Sequence, residues 1–464
     1  MTVQGIHALA GKTMSLGLSV YKLGYHRAAW RMPDFPRDAM TSIRPFVDAA
    51  KTAEAAAFDF VFFADVLAVE NVQAAERDIA FEHYVVKFDP VVALSAIAMT
   101  TKRIGLIATM STTHAHPYNI ARAVGSLDLV SGGRAGWNIV TSYSSDEIRN
   151  FGMASLPEPA SRYARAHEAV AVVAALWDSW SQTSFPQDKA SGVFLDRATI
   201  KAPGHRGRYF SVDGPLDVGR SPQGVPVLVA AGDSPAAQDL AARYANIQYA
   251  PTIGDIAAAK THYRAVKERM VHYGRAPQEL KIMPGLMPIV GETDLEARRK
   301  LEAIRALIHP QVGLDLLRPL FGDLSDCDPD APLPRSVEPA ETVMGGYAKH
   351  VFERAIADGL SLRQTYELVG DQERWFMTRV GSYKQVADVM EEWFAEEAAD
   401  GFNLLPYYVP GGLSDFVGLV VPELRRRGLF RSSYRGSTLR DTIGLAAPGR
   451  DQGADCRPKV SVAP

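Results

Sequence analysis

Apolar runs rich in aromatic and β-branched residues recur along the chain and are typical of buried strands. The pattern predicts eight strands, at 14–21, 58–65, 104–110, 135–140, 225–232, 246–251, 280–290 and 402–406. The segments between them carry apolar residues at helical spacing. They predict helices at 43–56, 90–101, 117–129, 161–180, 236–244, 294–308, 381–399 and 413–426, and one that follows the strand 246–251 and ends near 273. Alternation of strand and helix predicts a parallel sheet with crossover helices.

Eight strands with alternating helices favour one α/β domain, a (β/α)8 TIM barrel at 14–445, over an open sheet. An open dinucleotide-binding sheet would carry a GxGxxG turn after an early strand, and the sequence has none. Two segments, near 181–224 and 309–377, are too long for plain connections and are predicted to be insertions, the second a lid over the site. Residues 446–464 resemble a disordered tail.

Composition narrows the class of protein. The 464 residues are 47% hydrophobic and 22% charged, a composition typical of a globular enzyme. The net charge of −3 does not indicate a basic surface for nucleic acid or for an anionic membrane. There is no apolar run long enough to span a membrane and no signal-peptide pattern. Cys327 and Cys456 form neither a metal-binding spacing nor a disulfide framework, so we predict a cytoplasmic protein.

Polar residues follow several of the predicted strands. Asn138 lies inside the strand 135–140, which ends in Thr141, and Asp65 ends the strand 58–65. The carboxyl ends of parallel strands are where barrel enzymes bind ligands. From the residues alone, an ordinary polar loop after 135–140 and a loop-capping carboxylate at Asp65 explain these positions about as well as a ligand site does.

The turn Gly232-Asp233-Ser234-Pro235 has the residues of a helix start, with Ser234 as the N-cap and Pro235 in the first helical position. Free N–H groups and the helix dipole make such a turn an anion site, for which phosphate is the natural guest. Asp233 is electrostatically unfavourable for that guest. A capped helix without a ligand is the alternative.

Histidines in two loops are further candidate site residues. His26 lies in a loop with Trp30 and Arg31 that could line a pocket mouth, or pack as an ordinary surface loop. His114 and His116 follow the third strand, but an alternating pair with no third ligand in register does not predict a metal site.

Several motifs, in a fixed order, resemble one family. They are GWNIVTS with NFG downstream, RY at Arg162 and Tyr163, GRYFSVDGPL, SPQGVPVLVAAG, and DGFNLLP followed by VPELRRRGLFR and YRGSTLRDTIGL. Together they resemble the bacterial-luciferase-like flavin monooxygenases, in the branch of nitrilotriacetate monooxygenase component A, dibenzothiophene-sulfone monooxygenase and long-chain alkane monooxygenase. The resemblance runs from about residue 15 to 445.

The resemblance implies a luciferase-like barrel that holds reduced FMN (FMNH2) as a co-substrate supplied by a separate NAD(P)H-dependent flavin reductase. Reduced flavin would react with O2 to give a flavin hydroperoxide, which inserts one oxygen atom into a small organic substrate. The missing nicotinamide fingerprint fits such a two-component system. The resemblance also implies a homodimer or homotetramer, and it leaves the substrate open among xenobiotics, sulfur compounds, polyamine-carboxylates and hydrocarbons.

The resemblance assigns cofactor-binding roles to particular residues of this chain. By resemblance, Asp65 lies near the flavin ring, Ser111 at the flavin-facing end of the third strand, and Asn138 and Thr141 beside the isoalloxazine.

At the other end of the cofactor, the resemblance places Tyr163 at the phosphate. It assigns Gly232, Asp233 and Ser234 to the phosphate-binding turn.

The chain departs from the family at three positions. Pro159 stands where many members have a histidine, Ala230 where the family often has glutamine, and Asp233 where it has a small residue. A histidine that assists protonation must therefore be sought elsewhere, and His26 and His114 are the candidate catalytic residues. Two alternatives stay open: an F420-dependent or other flavin-barrel oxidoreductase, and a non-catalytic flavin-binding relative.

Overall fold

Eight parallel strands form a closed barrel in the computed structural model, which describes residues 12–69, 79–81, 85–250, 255–340, 345–371 and 376–446. The barrel closes because β7 pairs with both β6 and β8, and β8 pairs with β1. This confirms the predicted (β/α)8 architecture. The strands are β1 Ser15–Ser19, β2 Phe60–Phe63, β3 Gly105–Ser111, β4 Ala135–Val140, β5 Val227–Ala231, β6 Ile247–Ala250, β7 Lys281–Gly291 and β8 Gly401–Leu404.

Helices follow the strands, and several begin with proline, whose fixed φ suits the first helical position. Asp89 shows how such a start is completed, since its carboxylate accepts from the N–H groups of Val91 and Val92 at 2.9 and 3.0 Å. The helices are α1 Arg44–Ala55, α2 Pro90–Ala98, α3 Pro117–Ser131, α4 Ser145–Asn150, α5 Pro159–Trp177, α6 Pro235–Tyr244, α7 Ile256–His272, α8 Asp294–Arg305, α9 Pro310–Phe321, α10 Gly345–Asp358, α11 Leu362–Asp371, α12 Tyr383–Ala395, α13 Gly411–Asp415, α14 Val421–Arg426 and α15 Leu439–Thr442. A π-helical turn at Phe416–Val420 joins α13 to α14, within the predicted helix 413–426.

The barrel interior changes from apolar to polar along its axis. At the amino end of the strands, Phe60, Ile107 and Met283 pack against Leu439 and Ile443, so α15 and the turn after it plug that end. Toward the carboxyl end, the alternating side chains that face the interior are buried and polar: Ser19, Thr109, Ser111, Asn138 and Asn403. A ligand site therefore belongs at the carboxyl end.

One strand was missed by the sequence reasoning. The predicted helix 381–399 begins only at Tyr383, because Met377–Ser382 forms a ninth parallel strand paired with Leu286–Gly291 of β7. The carboxyl half of β7 extends past the barrel and offers an open edge. A short polar segment becomes a strand there because a partner edge is present, which local sequence does not record.

The insertion after α8 builds a second apolar core at the carboxyl end of the barrel. Leu317 and Tyr366 from its helices pack with Met287 of β7, and Tyr25 and Tyr407 from the loops after β1 and β8 join the same cluster. The insertion thus packs against two of the loops that follow the barrel strands.

The other insertion contains an antiparallel hairpin, whose strands are His205–Arg206 and Ser211–Val212. Glu168 of α5 fixes the hairpin, because its carboxylate accepts from the N–H groups of Tyr209 and Phe210 at 3.1 and 2.8 Å.

The first eleven residues and the predicted tail from 447 onward, with Cys456, lie outside the described residues. Within the described part of the chain, no helix combines the length and apolar character needed to cross a membrane.

Candidate active site

The predicted site residues lie at the carboxyl rim of the barrel. Ser111 ends β3, Asn138 lies near the end of β4, and Asp65 and the turn 232–234 follow β2 and β5. Because the strands are parallel and adjacent, these ends meet along one arc of the rim.

Asn138 presents a buried acceptor to the barrel interior. Its Nδ2 donates to Thr109 Oγ1 at 2.9 Å, and Thr109 Oγ1 donates its only hydrogen to the Phe63 carbonyl oxygen at 2.7 Å. Thr109 must therefore accept from Asn138, which fixes the orientation of the Asn138 amide. Within the described residues, the buried Asn138 Oδ1 has no hydrogen-bond partner. An unpaired buried acceptor is costly in an isolated protein and suits a site that receives a donor from a ligand.

The β3 and β4 loops are joined by hydroxyl contacts. Ser111 Oγ and Ser142 Oγ lie 2.8 Å apart, and Thr113 Oγ1 donates to the Thr141 carbonyl oxygen at 2.6 Å. Arg162 donates to the carbonyl oxygens of Thr141 and Ser142 from α5. Ser142 has φ +53°, an uncommon conformation for a residue with a side chain. Sequence reasoning singled out Thr141 and missed Ser142, since only the fold turns its hydroxyl onto Ser111.

Asp65 is half-buried, and burial raises its pKa to about 6, with Lys87 lowering it and Asp89 and Glu147 raising it. Glu147 of α4 also accepts from the Leu67 N–H at 3.0 Å, which ties the loop after β2 to α4. Asp65 is thus a carboxyl group that can change charge near neutral pH.

His114 is half-buried and stacks on Phe151, with ring centroids 4.2 Å apart and planes 17° apart. Both ring nitrogens are buried and have no partner among the residues that the structure describes. Burial lowers the pKa of His114, and Arg165 lowers it further while Glu147 raises it. Burial thus favours the neutral form of His114, and neither ring nitrogen is paired within the described residues.

His116, in contrast, caps α3, because its Nδ1 accepts from the Tyr118 N–H at 3.2 Å. Across the described ranges, His, Cys, Asp and Glu form no group of three or more that could hold a metal ion.

His26 is only 1% exposed, and its Nδ1 accepts from the Ala28 N–H at 3.2 Å, which is a local turn contact. Trp30 and Arg31 line a cavity of about 200 Å³ between the loop after β1 and the insertion. His26 is not among the lining residues of that cavity, so its geometry favours a structural role.

The turn after β5 offers free donors. Gly232 has φ +118°, and Ser234 Oγ caps α6 by accepting from the Ala237 N–H at 3.2 Å. The N–H groups of Asp233 and Ser234 donate to no group within the described part of the chain. With no acceptor in that part of the chain, these two N–H groups are available to bind an anion at the amino terminus of α6.

Tyr163 lies on α5, the helix that packs against the helix begun by this turn. The parallel helices α5 and α6 pack together, and His167 Nε2 lies 3.7 Å from Asp239 Oδ2. Tyr163 is one turn before His167, and Pro235 is one turn before Asp239, so Tyr163 is level with the start of α6. Its hydroxyl makes no hydrogen bond to the described residues. Tyr163 and the turn therefore lie at the same end of two adjacent helices.

The fold is that of a TIM-barrel enzyme, with a candidate ligand site at the carboxyl ends of β2 to β5. The family model for luciferase-like monooxygenases matches residues 26–400. The chain is 40% identical over 452 residues to nitrilotriacetate monooxygenase component A from Aminobacter aminovorans, covering 95% of this chain and 98% of the relative.

Two solved structures are similar over almost the whole chain. Long-chain alkane monooxygenase superimposes with a TM-score of 0.81 at 30% identity, covering 96% of this chain and 100% of that one. Riboflavin lyase, solved with modified FMN and riboflavin, gives 0.79 at 28% identity with the same coverage. The chain belongs to the luciferase-like monooxygenase family, and the predicted family and enzyme class are confirmed.

Proposed function

We propose that this protein is a monooxygenase that uses reduced FMN and O2 to insert one oxygen atom into a small organic substrate. The observation that carries the proposal is one rim with two complementary features. Among the described residues, Asn138 Oδ1 is a buried acceptor with no partner, and the Asp233 and Ser234 N–H groups donate to no acceptor. A flavin ring brings an N–H donor and an FMN tail brings a phosphate, so the residues present fit the cofactor.

At the ring end, Asn138 would accept from a ring N–H of the flavin. The hydroxyl of Ser111, the Thr141 segment and the carboxyl group of Asp65 surround the same rim. Because Thr109 fixes the Asn138 amide, the acceptor is oriented before the cofactor arrives, which lowers the entropic cost of binding.

At the phosphate end, Gly232, Asp233 and Ser234 would supply the backbone donors and Tyr163 a hydroxyl. Asp233 has an exposed side chain, so solvent screens its charge from the phosphate. The unfavourable charge noted in the sequence therefore does not exclude phosphate from the turn.

Bound reduced FMN supplies the oxygen chemistry, activating O2 so that one atom enters the substrate and the other leaves as water. The chain orients the cofactor, and the insertion excludes water from the mouth. His114, whose pKa is lowered by burial and whose ring nitrogens have no partner among the described residues, is positioned to hold or deliver a proton near the rim. The buried turn contact of His26 suits that role less well.

We propose further that a separate NAD(P)H-dependent flavin reductase supplies the reduced flavin. The relative named component A supports a two-component system, as does the missing GxGxxG turn. A homodimer or homotetramer in the cytoplasm, and a barrel domain at 14–445, complete the proposal.

The decisive experiment is an anaerobic titration of the protein with reduced FMN, followed by stopped-flow mixing with O2. We expect saturable binding and reoxidation of the bound flavin at a rate distinct from that of free reduced FMN. Absence of reduced-FMN binding would overturn the proposal.

Parallel titrations distinguish the alternatives. Tighter binding of F420 than of FMN would favour an F420-dependent oxidoreductase. Binding of FMN with no change in its reaction with O2 would favour a non-catalytic flavin protein.

A further inference from the structure

Three side chains form a hydrogen-bonded relay behind the turn 232–234. Gln248 lies on β6 and is fully buried, His262 lies on α7, and Gln238 lies on α6. Resemblance to the family assigned roles to the turn itself, and to none of these three.

The relay reaches two successive carbonyl groups of the turn. Gln248 Nε2 donates to the Gly232 carbonyl oxygen at 3.1 Å, and Gln248 Oε1 lies 3.2 Å from His262 Nε2. On the other side, Gln238 Nε2 donates to the Asp233 carbonyl oxygen at 2.8 Å and lies 3.4 Å from His262 Nδ1.

These contacts allow only one arrangement of protons with the imidazole neutral. A carbonyl oxygen can only accept, so the NH2 group of Gln248 faces Gly232 and its Oε1 faces His262. His262 Nε2 must then carry the proton, and Nδ1 must accept from Gln238. The histidine ring thus joins two glutamine side chains that would otherwise be held independently.

Holding the two carbonyl groups also directs the two free N–H groups. In a trans peptide the C=O and the N–H point in opposite directions. The bond to the Gly232 oxygen therefore turns the Asp233 N–H away from the relay, and the bond to the Asp233 oxygen does the same for the Ser234 N–H. These are the N–H groups that have no acceptor among the described residues.

We propose that His262 is a positioning residue for the cofactor phosphate: through Gln248 and Gln238 it orients the two backbone donors of the turn. The inference rests on the proposed FMN site. A separate observation, the unpaired acceptor of Asn138, which is 3% exposed on the same rim, indicates a ligand there independently of the turn.

The electrostatic setting agrees with a neutral imidazole. Burial lowers the pKa of His262, and the carboxylate of Asp233 opposes that shift. A protonated ring would bring a second donor to the Gln238 NH2 group and break the relay at that contact.

The test compares the phosphate-bearing and phosphate-free flavins. His262→Phe keeps a flat ring but removes both nitrogens. We expect it to weaken anaerobic binding of reduced FMN by roughly fivefold to tenfold, with binding of reduced riboflavin within about twofold of wild type. His262→Gln, which can restore a donor to Gln248, should recover part of the loss.

Several controls keep the outcome interpretable. His272→Gln changes an exposed histidine on the same helix, whose Nδ1 lies 3.2 Å from the Glu268 carbonyl oxygen, and should leave both affinities unchanged. If His262→Phe does not fold, Gln238→Ala removes one arm of the relay from a half-exposed position and should show the same selective loss.

Equal loss for FMN and riboflavin, or no loss in a folded variant, would overturn the positioning role. Failure of the wild-type protein to bind reduced FMN would instead overturn the proposed function.

Discussion

The side chain of Asn138 donates to the Thr109 hydroxyl at 2.9 Å, and this contact leaves the Asn138 carbonyl oxygen buried in the barrel with no partner among the described residues. A neighbouring strand thus decides which half of the amide a ligand meets. The acceptor is part of the rigid barrel, so its position does not depend on the loops around the mouth.

Replacing Asn138 with leucine should weaken binding of both reduced FMN and reduced riboflavin. The lost hydrogen bond lies at the flavin ring, which the two ligands share, and we expect roughly a tenfold loss for each. Fluorescence titration under anaerobic conditions measures it. As a control, Thr109→Ser keeps the hydroxyl that orients the amide, and this variant should bind both ligands with wild-type affinity. If Asn138→Leu also binds both ligands with wild-type affinity, Asn138 is not part of the flavin site.

Replacing Tyr163 with phenylalanine should affect FMN alone. Tyr163 is level with the turn at the start of α6, and losing the proposed bond from its hydroxyl to the phosphate should cost about 1 kcal/mol or more, roughly fivefold in affinity. Tyr118→Phe, on α3, removes an exposed hydroxyl that contacts Asp217 and serves as the control. Unchanged FMN affinity, or an equal effect on riboflavin, would contradict the assignment of Tyr163 to the phosphate.

His114→Phe should separate catalysis from binding. The variant keeps the stack on Phe151 and removes both nitrogens, so we expect reduced-FMN affinity to stay within about twofold while product formation falls about 100-fold if the imidazole transfers a proton. A rise in KM with kcat retained would indicate a substrate contact instead. His116→Asn preserves the N-cap of α3 and should be fully active.

Asp65→Asn tests the raised carboxyl pKa through stability. The folded-state pKa of about 6 lies above the usual 3.8, so the stabilising contribution is complete below pH 3.8 and is lost as pH rises through 6. Relative to wild type, the variant should therefore gain unfolding free energy across this window. The gain should level off above pH 6 at roughly 1–2 kcal/mol, after discounting for partial exposure.

Urea unfolding at a series of pH values between 4 and 8 measures this difference. Asp255→Asn changes the exposed N-cap of α7 to another good capping residue and should show no such step. A pH-independent difference between Asp65→Asn and wild type would mean that Asp65 titrates normally.

Local sequence was sufficient to predict the strands and helix starts that are marked by apolar runs or by capping residues. The apolar runs gave the eight barrel strands, with 135–140 placed at its observed bounds, and Ser234-Pro235 marked the start of α6. Strand order follows from the alternation with helices, since parallel neighbours need a crossover. The motifs also identified the family, because they recur in order over nearly the whole chain.

Tertiary structure decided the features that depend on partners distant in the chain. Met377–Ser382 is a strand because β7 leaves an edge open beside it, and the TLRDTIGL segment is a plug because Leu439 meets Phe60 inside the barrel. Strand register and hydrogen bonds between different elements set the orientation of the Asn138 amide. They also set the direction in which the His262 relay turns the two backbone N–H groups. A sequence records which groups are available; only closure of the barrel determines which of them are already paired and which remain for a ligand.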